Sequence, residues 1–489
     1  MLCTRQLQGG VAALQDAAER GDVEALSALL ENPPEAGVDL HSALLAAATA
    51  GQVNAVRLVC ELPPAYGVDL SEDDNAVLRT AANEGHLEVI RYLCGLPRAR
   101  AVDPGSHGNH CIITAAEFGD TEVVQFLCDL PAERGVDPAV SRNAPIRLAA
   151  QQGHLEVVRL LCALPTERGI DPSAGKNYAL THAAREGHVE VVQFLLSLPP
   201  ERGVDVCAED NEALDNAAGA DHPLLVRWLI DHGADPSSRQ CSVLSCAAAH
   251  DDLDLAKYLC NLPLERGVKP GQPCVLNSAI SLEMVRYLCE LPASRGVHPG
   301  ADSYAIINAA SRGDLDMVRY LCDLPPERGV NVAARDNCPV QAAVTCGNID
   351  VLRFLLRFSD RGVAITADDV CMAAKRGVDV EVLDLLFHRP EQHGIDATVK
   401  RRVLEIVAHH NKLHHLLCYV CNLPPSIGVS TADIQTLLAP RDYHCNECRV
   451  RAQSIAKEAL AWRRHRTVLL LSRMRCGERA WCHALTCHT

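Results

Sequence analysis

The stretch NYALTHAAREGHVEVVQFLL, from Asn177 to Leu196, holds two apolar patterns at helical spacing with a glycine between them. Leu180, Ala183 and Ala184 line one short helix, and Val189, Val191, Val192, Leu195 and Leu196 line a second. The alanine pair lets the two helices approach closely, and Gly187 suits the reversal after the first, where a left-handed residue is favoured. One such hairpin cannot bury its apolar face alone, so the sequence requires copies stacked against it. Gly85, Gly119, Gly153 and Gly187 recur every 34 residues, with Asp221 at the next place, and a period of this size marks a repeat array. Asparagine recurs at the start of the first helix as Asn75, Asn109, Asn143, Asn177, Asn211 and Asn337, which predicts a side-chain N-cap.

At these positions the chain resembles the ankyrin repeat family, whose unit reads TPLHxAAxxGHxEVVxxLLxxGAD. AANEGHLEVIRYLC (Ala81 to Cys94), AAQQGHLEVVRLLC (Ala149 to Cys162) and AAREGHVEVVQFLL (Ala183 to Leu196) match its middle, and Pro145 and Pro339 fall at the motif's Pro. The resemblance covers residues 11–438, about twelve or thirteen units with some degenerate, and leaves 439–489 as a tail. It implies an all-α solenoid of stacked helix-turn-helix units that binds a protein partner on its concave face, with no catalytic residues. The Thr and His of the family's TPLH are mostly absent, and the segment joining one repeat to the next is rearranged.

The rearrangement is visible in LCDLPAERGVDP (Leu127 to Pro138), where Gly135 lies eight residues after Leu127. In WLIDHGADPSS (from Trp228), Gly233 lies only four after Leu229. The next alanine pair begins fourteen residues after the glycine in both, so LPAE is an insertion at the end of the second helix. Its form, LPxERG, returns from Leu164, Leu198, Leu262 and Leu324. Proline should end the helix and open a short extra turn, glycine supplies positive φ, and the following Val or Ile buries. The recurrent Glu and Arg are expected as a solvated surface pair of little energetic weight, and the insertion as packing material more than a ligand-recognition element. Between glycine and alanine pair the loop is shorter than the family's, which predicts shortened β-hairpin fingers. Two irregular places are expected, a short join from Gly37 to Gly51 and a truncated first helix within CVLNSAISLEMVRYLC (Cys274 to Cys289).

The 489 residues carry a net charge of −16, and the segment from Arg441 to Thr489 has ten Lys or Arg against four Asp or Glu. The acidic body argues against nucleic-acid binding, which needs clustered positive charge. There is no signal-peptide run and no window of membrane-span length, so a cytoplasmic, monomeric protein is expected. Of the 23 cysteines, Cys60, Cys94, Cys128, Cys162, Cys260, Cys289, Cys322 and Cys421 share one repeat position, filled elsewhere by Leu196, Ile230, Leu356 and Leu386. That pattern describes an apolar core slot, which free Cys fills well.

No phosphate-binding loop, nucleophile elbow or metalloprotease helix occurs, so no enzyme is expected. His86, His154 and His188 follow the repeat glycine and are read as local hydrogen-bonding residues, and His409, His410, His414 and His415 as the polar face of a degenerate last repeat. No cofactor is expected, though Cys445 and Cys448 at CxxC spacing, with Cys476 and Cys482 after a gap, are weak zinc candidates. The alternative to a plain scaffold is therefore an adaptor whose tail forms a zinc-binding or partner-recruiting module. Between the two cysteine pairs, Arg451 to Arg475 reads as a basic amphipathic helix that either caps the array or meets an acidic partner or membrane. The predicted partner surface is the pair of residues between alanine pair and glycine, which varies while its neighbours recur: Glu117 and Phe118, Gln151 and Gln152, Arg185 and Glu186.

Overall fold

The structure is a computed structural model; outside its described residues lie 1–11, 32–38, 64–65, 238–241, 267, 296, 301–302, 326–327, 329, 388–396, 410–413, 423–428, 437–449, 451 and 465–489. The described residues form α-helices and short 3-10 turns, with no strand among them. Two compact units, 1–268 and 269–489, are distinguished, and each is described by itself.

In unit 1 the repeat is fullest in α1 (Ser106–Phe118), α2 (Thr121–Asp129), α3 (Val140–Gln151), α4 (Leu155–Ala163), α5 (Ala174–Glu186), α6 (Val189–Leu196), α7 (Ala208–Gly219) and α8 (Pro223–Asp231). Each odd helix pairs with the even helix after it, the odd helices stack on one another, and α2, α4 and α6 stack likewise. The alanine pairs Ala115–Ala116, Ala149–Ala150 and Ala183–Ala184 are fully buried where the layers meet, since only a small side chain allows so close an approach. Unit 2 repeats the plan, and its first helix at Pro273–Ser278 has only six residues, the truncation expected from the sequence.

The recurrent asparagines do not cap their own helices. Each ends a left-handed turn of three residues, as in His107, Gly108 and Asn109 with φ of 49°, 65° and 63°. From there the side chain crosses to the next repeat: Asn109 Oδ1 accepts from Asp137 N at 2.7 Å, Asn143 from Asp171 N at 2.9 Å and Asn75 from Asp103 N at 2.9 Å. Asn tolerates the left-handed region better than most residues, and its short amide reaches a backbone donor that stacking would otherwise strand.

The inserted LPAE forms the expected extra turn, a 3-10 turn at Ala132–Arg134 closed by Gly135 at φ 74°. The expectation of a solvated Glu–Arg pair is wrong for the arginine. Glu133 stays exposed, whereas Arg134 turns inward and donates from Nη1 to Cys94 O at 2.8 Å and from Nη2 to Val102 O at 3.2 Å. Arg168 holds Cys128 O and Val136 O, and Arg202 holds Cys162 O and Ile170 O, in the same way. A helix C-terminus leaves carbonyls without intrahelical partners, and a guanidinium fork satisfies them. The insertion is thus an inter-repeat clamp.

Beneath the clamps lies the cysteine slot. Cys60, Cys94, Cys128, Cys162, Cys260, Cys289, Cys322 and Cys421 are all buried free thiols. Burial pushes the Cys94, Cys128 and Cys162 thiols up to about 11, against the pull of Arg134, Arg168 and Arg202. In unit 2 a helix over 452–464 buries Ala452, Ala456, Ala459 and Leu460, and its Arg463 donates from Nη1 to Val429 O at 3.1 Å. Val429 follows the last repeat glycine just as Val102 follows Ala101 and Val136 follows Gly135, so this helix presents an arginine to the acceptor that a further repeat's clamp would use.

Candidate functional site

The predicted partner surface lies where the odd helices end. α1 ends on Glu117 and Phe118, α3 on Gln151 with Gln152 as its cap, and α5 on Arg185 and Glu186. Consecutive hairpins stack, so the three pairs occupy equivalent places in a row along α1, α3 and α5. Phe118 is 60% exposed, which settles its placement outside the core. Gln152, Arg185 and Glu186 are exposed, while Glu117 and Gln151 are half-buried.

What holds this row in place is the histidine that follows Gly153, Gly187 and, at the glycine's place in the next repeat, Asp221. His154 Nε2 meets Glu117 O at 2.9 Å, His188 Nε2 meets Gln151 O at 3.0 Å, and His222 Nε2 meets Arg185 O at 2.9 Å. A carbonyl only accepts, so each ring donates from Nε2. These bonds span 37 residues: the hydrogen-bonding role expected for His154 and His188 is present, but between repeats. Gly119, at φ 82°, makes room for the ring, since a Cβ there would lie 2.5 Å from His154 Nδ1. The backbones of the row are therefore fixed by the following repeat while the side chains remain free to vary.

Sequence reading missed the polar and aromatic groups beside the row. Tyr178 stacks on His182 with ring centroids 3.5 Å apart, Arg147 lies 4.7 Å above the Tyr178 ring, and the Tyr178 hydroxyl donates to Gln151 Oε1 at 2.9 Å. The signal was present in the residue after each asparagine, which changes from Ala76 to His110, Ala144 and Tyr178 along the repeats. Burial lowers the His182 pKa below its ordinary value, outweighing the bond to Tyr178 O. Burial also raises the Asp120 carboxyl, against the pull of His154 and His86.

The row offers an aromatic group, amides that donate and accept, and a guanidinium 4.0 Å from the Glu186 carboxylate. These are groups for recognition. Among the described residues no cluster of three or more His, Cys, Asp or Glu could hold a metal ion, and no helix is long and apolar enough to cross a membrane. Cys445, Cys448, Cys476 and Cys482 lie outside the described residues, as do the side chains of His409, His410, His414 and His415.

A family model described as ankyrin repeats (3 copies) matches residues 14–103, 78–176, 112–210, 167–240 and 274–369, together about two thirds of the chain. No curated protein matches it.

Proposed function

Since the chain belongs to the ankyrin repeat family, whose repeats generally mediate protein–protein contacts, we propose that it is a non-enzymatic scaffold. On this reading it binds a protein partner along the row from Glu117 and Phe118 through Gln151 and Gln152 to Arg185 and Glu186. The observation that carries the proposal is the pinning of this row: His154, His188 and His222 fix its carbonyls while its side chains differ from repeat to repeat. A rigid backbone carrying variable side chains suits selective recognition, because little order must be gained on binding. Phe118 serves as the anchor, and the charges of Glu117, Arg185 and Glu186 set specificity more than affinity.

The same reading makes the helix at 452–464 a cap for unit 2. Terminal elements of a repeat array must cover an apolar face, and Arg463 on Val429 O supports this role. Affinity capture with the full-length chain tests the scaffold reading. A discrete partner should be retained by the wild type and lost when Phe118, Gln152 and Glu186 are replaced by alanine, with circular dichroism unchanged. Retention of every captured partner by the folded triple variant would place recognition elsewhere.

A further inference from the structure

Among the described residues, the joint between α6 and α8 lacks the clamp that closes its neighbours. At three successive joints Arg134, Arg168 and Arg202 each span two carbonyls, 40 and 32 residues back in the chain. The next pair in this series is Leu196 O and Val204 O. The repeat that should supply the arginine has no insertion, and His232 stands before its glycine. That side chain folds back instead, donating from Nδ1 to Trp228 O at 2.8 Å and stacking on the Trp228 ring at 3.8 Å. Among the described residues, no donor reaches Leu196 O or Val204 O.

The consequence is a cleft of about 420 Å³ whose lining includes Leu196, Ser197, Val204, Val206, Trp228 and His232. Its apolar residues are less covered than their counterparts. Leu196 is half-buried where Cys94, Cys128 and Cys162 are 4%, 4% and 8% exposed, and Val206 is half-buried where Pro104, Pro138 and Pro172 are buried.

We propose that this cleft receives an arginine side chain of a partner protein, presented on a proline-led turn like the chain's own LPxERG segments. The two carbonyls supply the acceptors that a guanidinium fork spans at the neighbouring joints. Leu196, Val204 and Val206 offer apolar surface for the arginine methylenes, and the Trp228 ring offers a face for the cation. The Asp205 carboxylate, which also lines the cleft, favours a guanidinium over a neutral side chain. This site uses the ends of the second helices, so it stands or falls independently of the row at Phe118.

The test uses the full-length chain and a fluorescently labelled peptide, LPAERGVDP, read by anisotropy. Saturable one-to-one binding is expected, weakened at least about tenfold when the peptide arginine becomes alanine, as loss of a charged hydrogen-bond donor requires. A chain variant with Leu-Pro-Ala-Glu inserted between Asp231 and His232, together with His232→Arg, should fill the cleft internally, raise the melting temperature and lose peptide binding. If that variant does not fold, Trp228→Leu serves, because Leu160 occupies the same repeat position; it should weaken binding several-fold. Equal binding of the alanine peptide, or undiminished binding by either folded variant, overturns the proposal. Self-association of the wild type that the insertion abolishes also overturns it, assigning the cleft to a second copy of this chain.

Discussion

Arg134 reaches back forty residues to hold the carbonyl of Cys94, with Nη1 2.8 Å from the oxygen. The bond ties the end of one second helix to the end of the preceding one, and its weight follows from being charged and part-buried. Arg134→Ala should lower the unfolding free energy by about 1–3 kcal/mol, because Cys94 O and Val102 O both lose their donor. Glu133→Ala should change it by less than about 0.5 kcal/mol, since that side chain is exposed. Urea denaturation of the two variants measures the contrast; equal effects would return the pair to the surface role that composition suggested.

Asn143 combines a strained backbone, φ 61°, with the bond to Asp171 N. Asn143→Ala loses the bond and meets the left-handed penalty, whereas Asn143→Gly loses only the bond. Thermal melting should therefore rank wild type above Gly above Ala, with the Ala variant down by about 2 kcal/mol. A glycine variant less stable than the alanine variant would contradict the backbone part of this account.

The slot cysteines should resist modification. Cys94, Cys128 and Cys162 are buried with thiols pushed up to about 11, and the thiolate is the reactive form. Native labelling followed by peptide mapping should mark the exposed Cys274 and Cys346 first, and the three slot cysteines only on unfolding. Labelling of all five at one rate would show that the slot opens readily.

Burial depresses the His182 pKa below 6.5. The unfolded chain therefore binds a proton on this residue more readily than the folded chain does, and acid favours unfolding. Its contribution to stability is complete above about pH 6.5 and is lost as the pH falls through the lower folded value. Between pH 7 and pH 5 the wild type should thus lose more stability than His182→Gln. Parallel pH profiles for the two would exclude His182 as the titrating group.

The hairpin, its glycine and its alanine pairs were legible in the sequence because helical periodicity and period 34 are one-dimensional signals. So was the extra turn after Pro131, since proline acts on its own backbone. The partners of Arg134, Asn109 and His154 were not legible: each bond crosses between repeats, at separations of 40, 28 and 37 residues. Local rules assigned Arg134 to solvent and Asn109 to its own helix, whereas stacking buries the carbonyls and amides that these side chains then serve. At the candidate site the row from Glu117 to Glu186 could be read from variability, but Tyr178, His182 and Arg147 beside it required the packing of neighbouring helices.

The central claim is that recognition occurs along the row anchored by Phe118, which is 60% exposed. Its most direct test places a photo-crosslinking amino acid at position 118 in the full-length chain within cells, and in a second chain at Arg159, which is exposed on α4. The account predicts one discrete protein adduct from position 118 and none of that mass from position 159. Phe118→Ala should then weaken the captured partner by about 1–3 kcal/mol, as loss of an anchor does, with little change in melting temperature. An adduct formed from position 159 but not from 118, or unchanged affinity in the folded alanine variant, would contradict it.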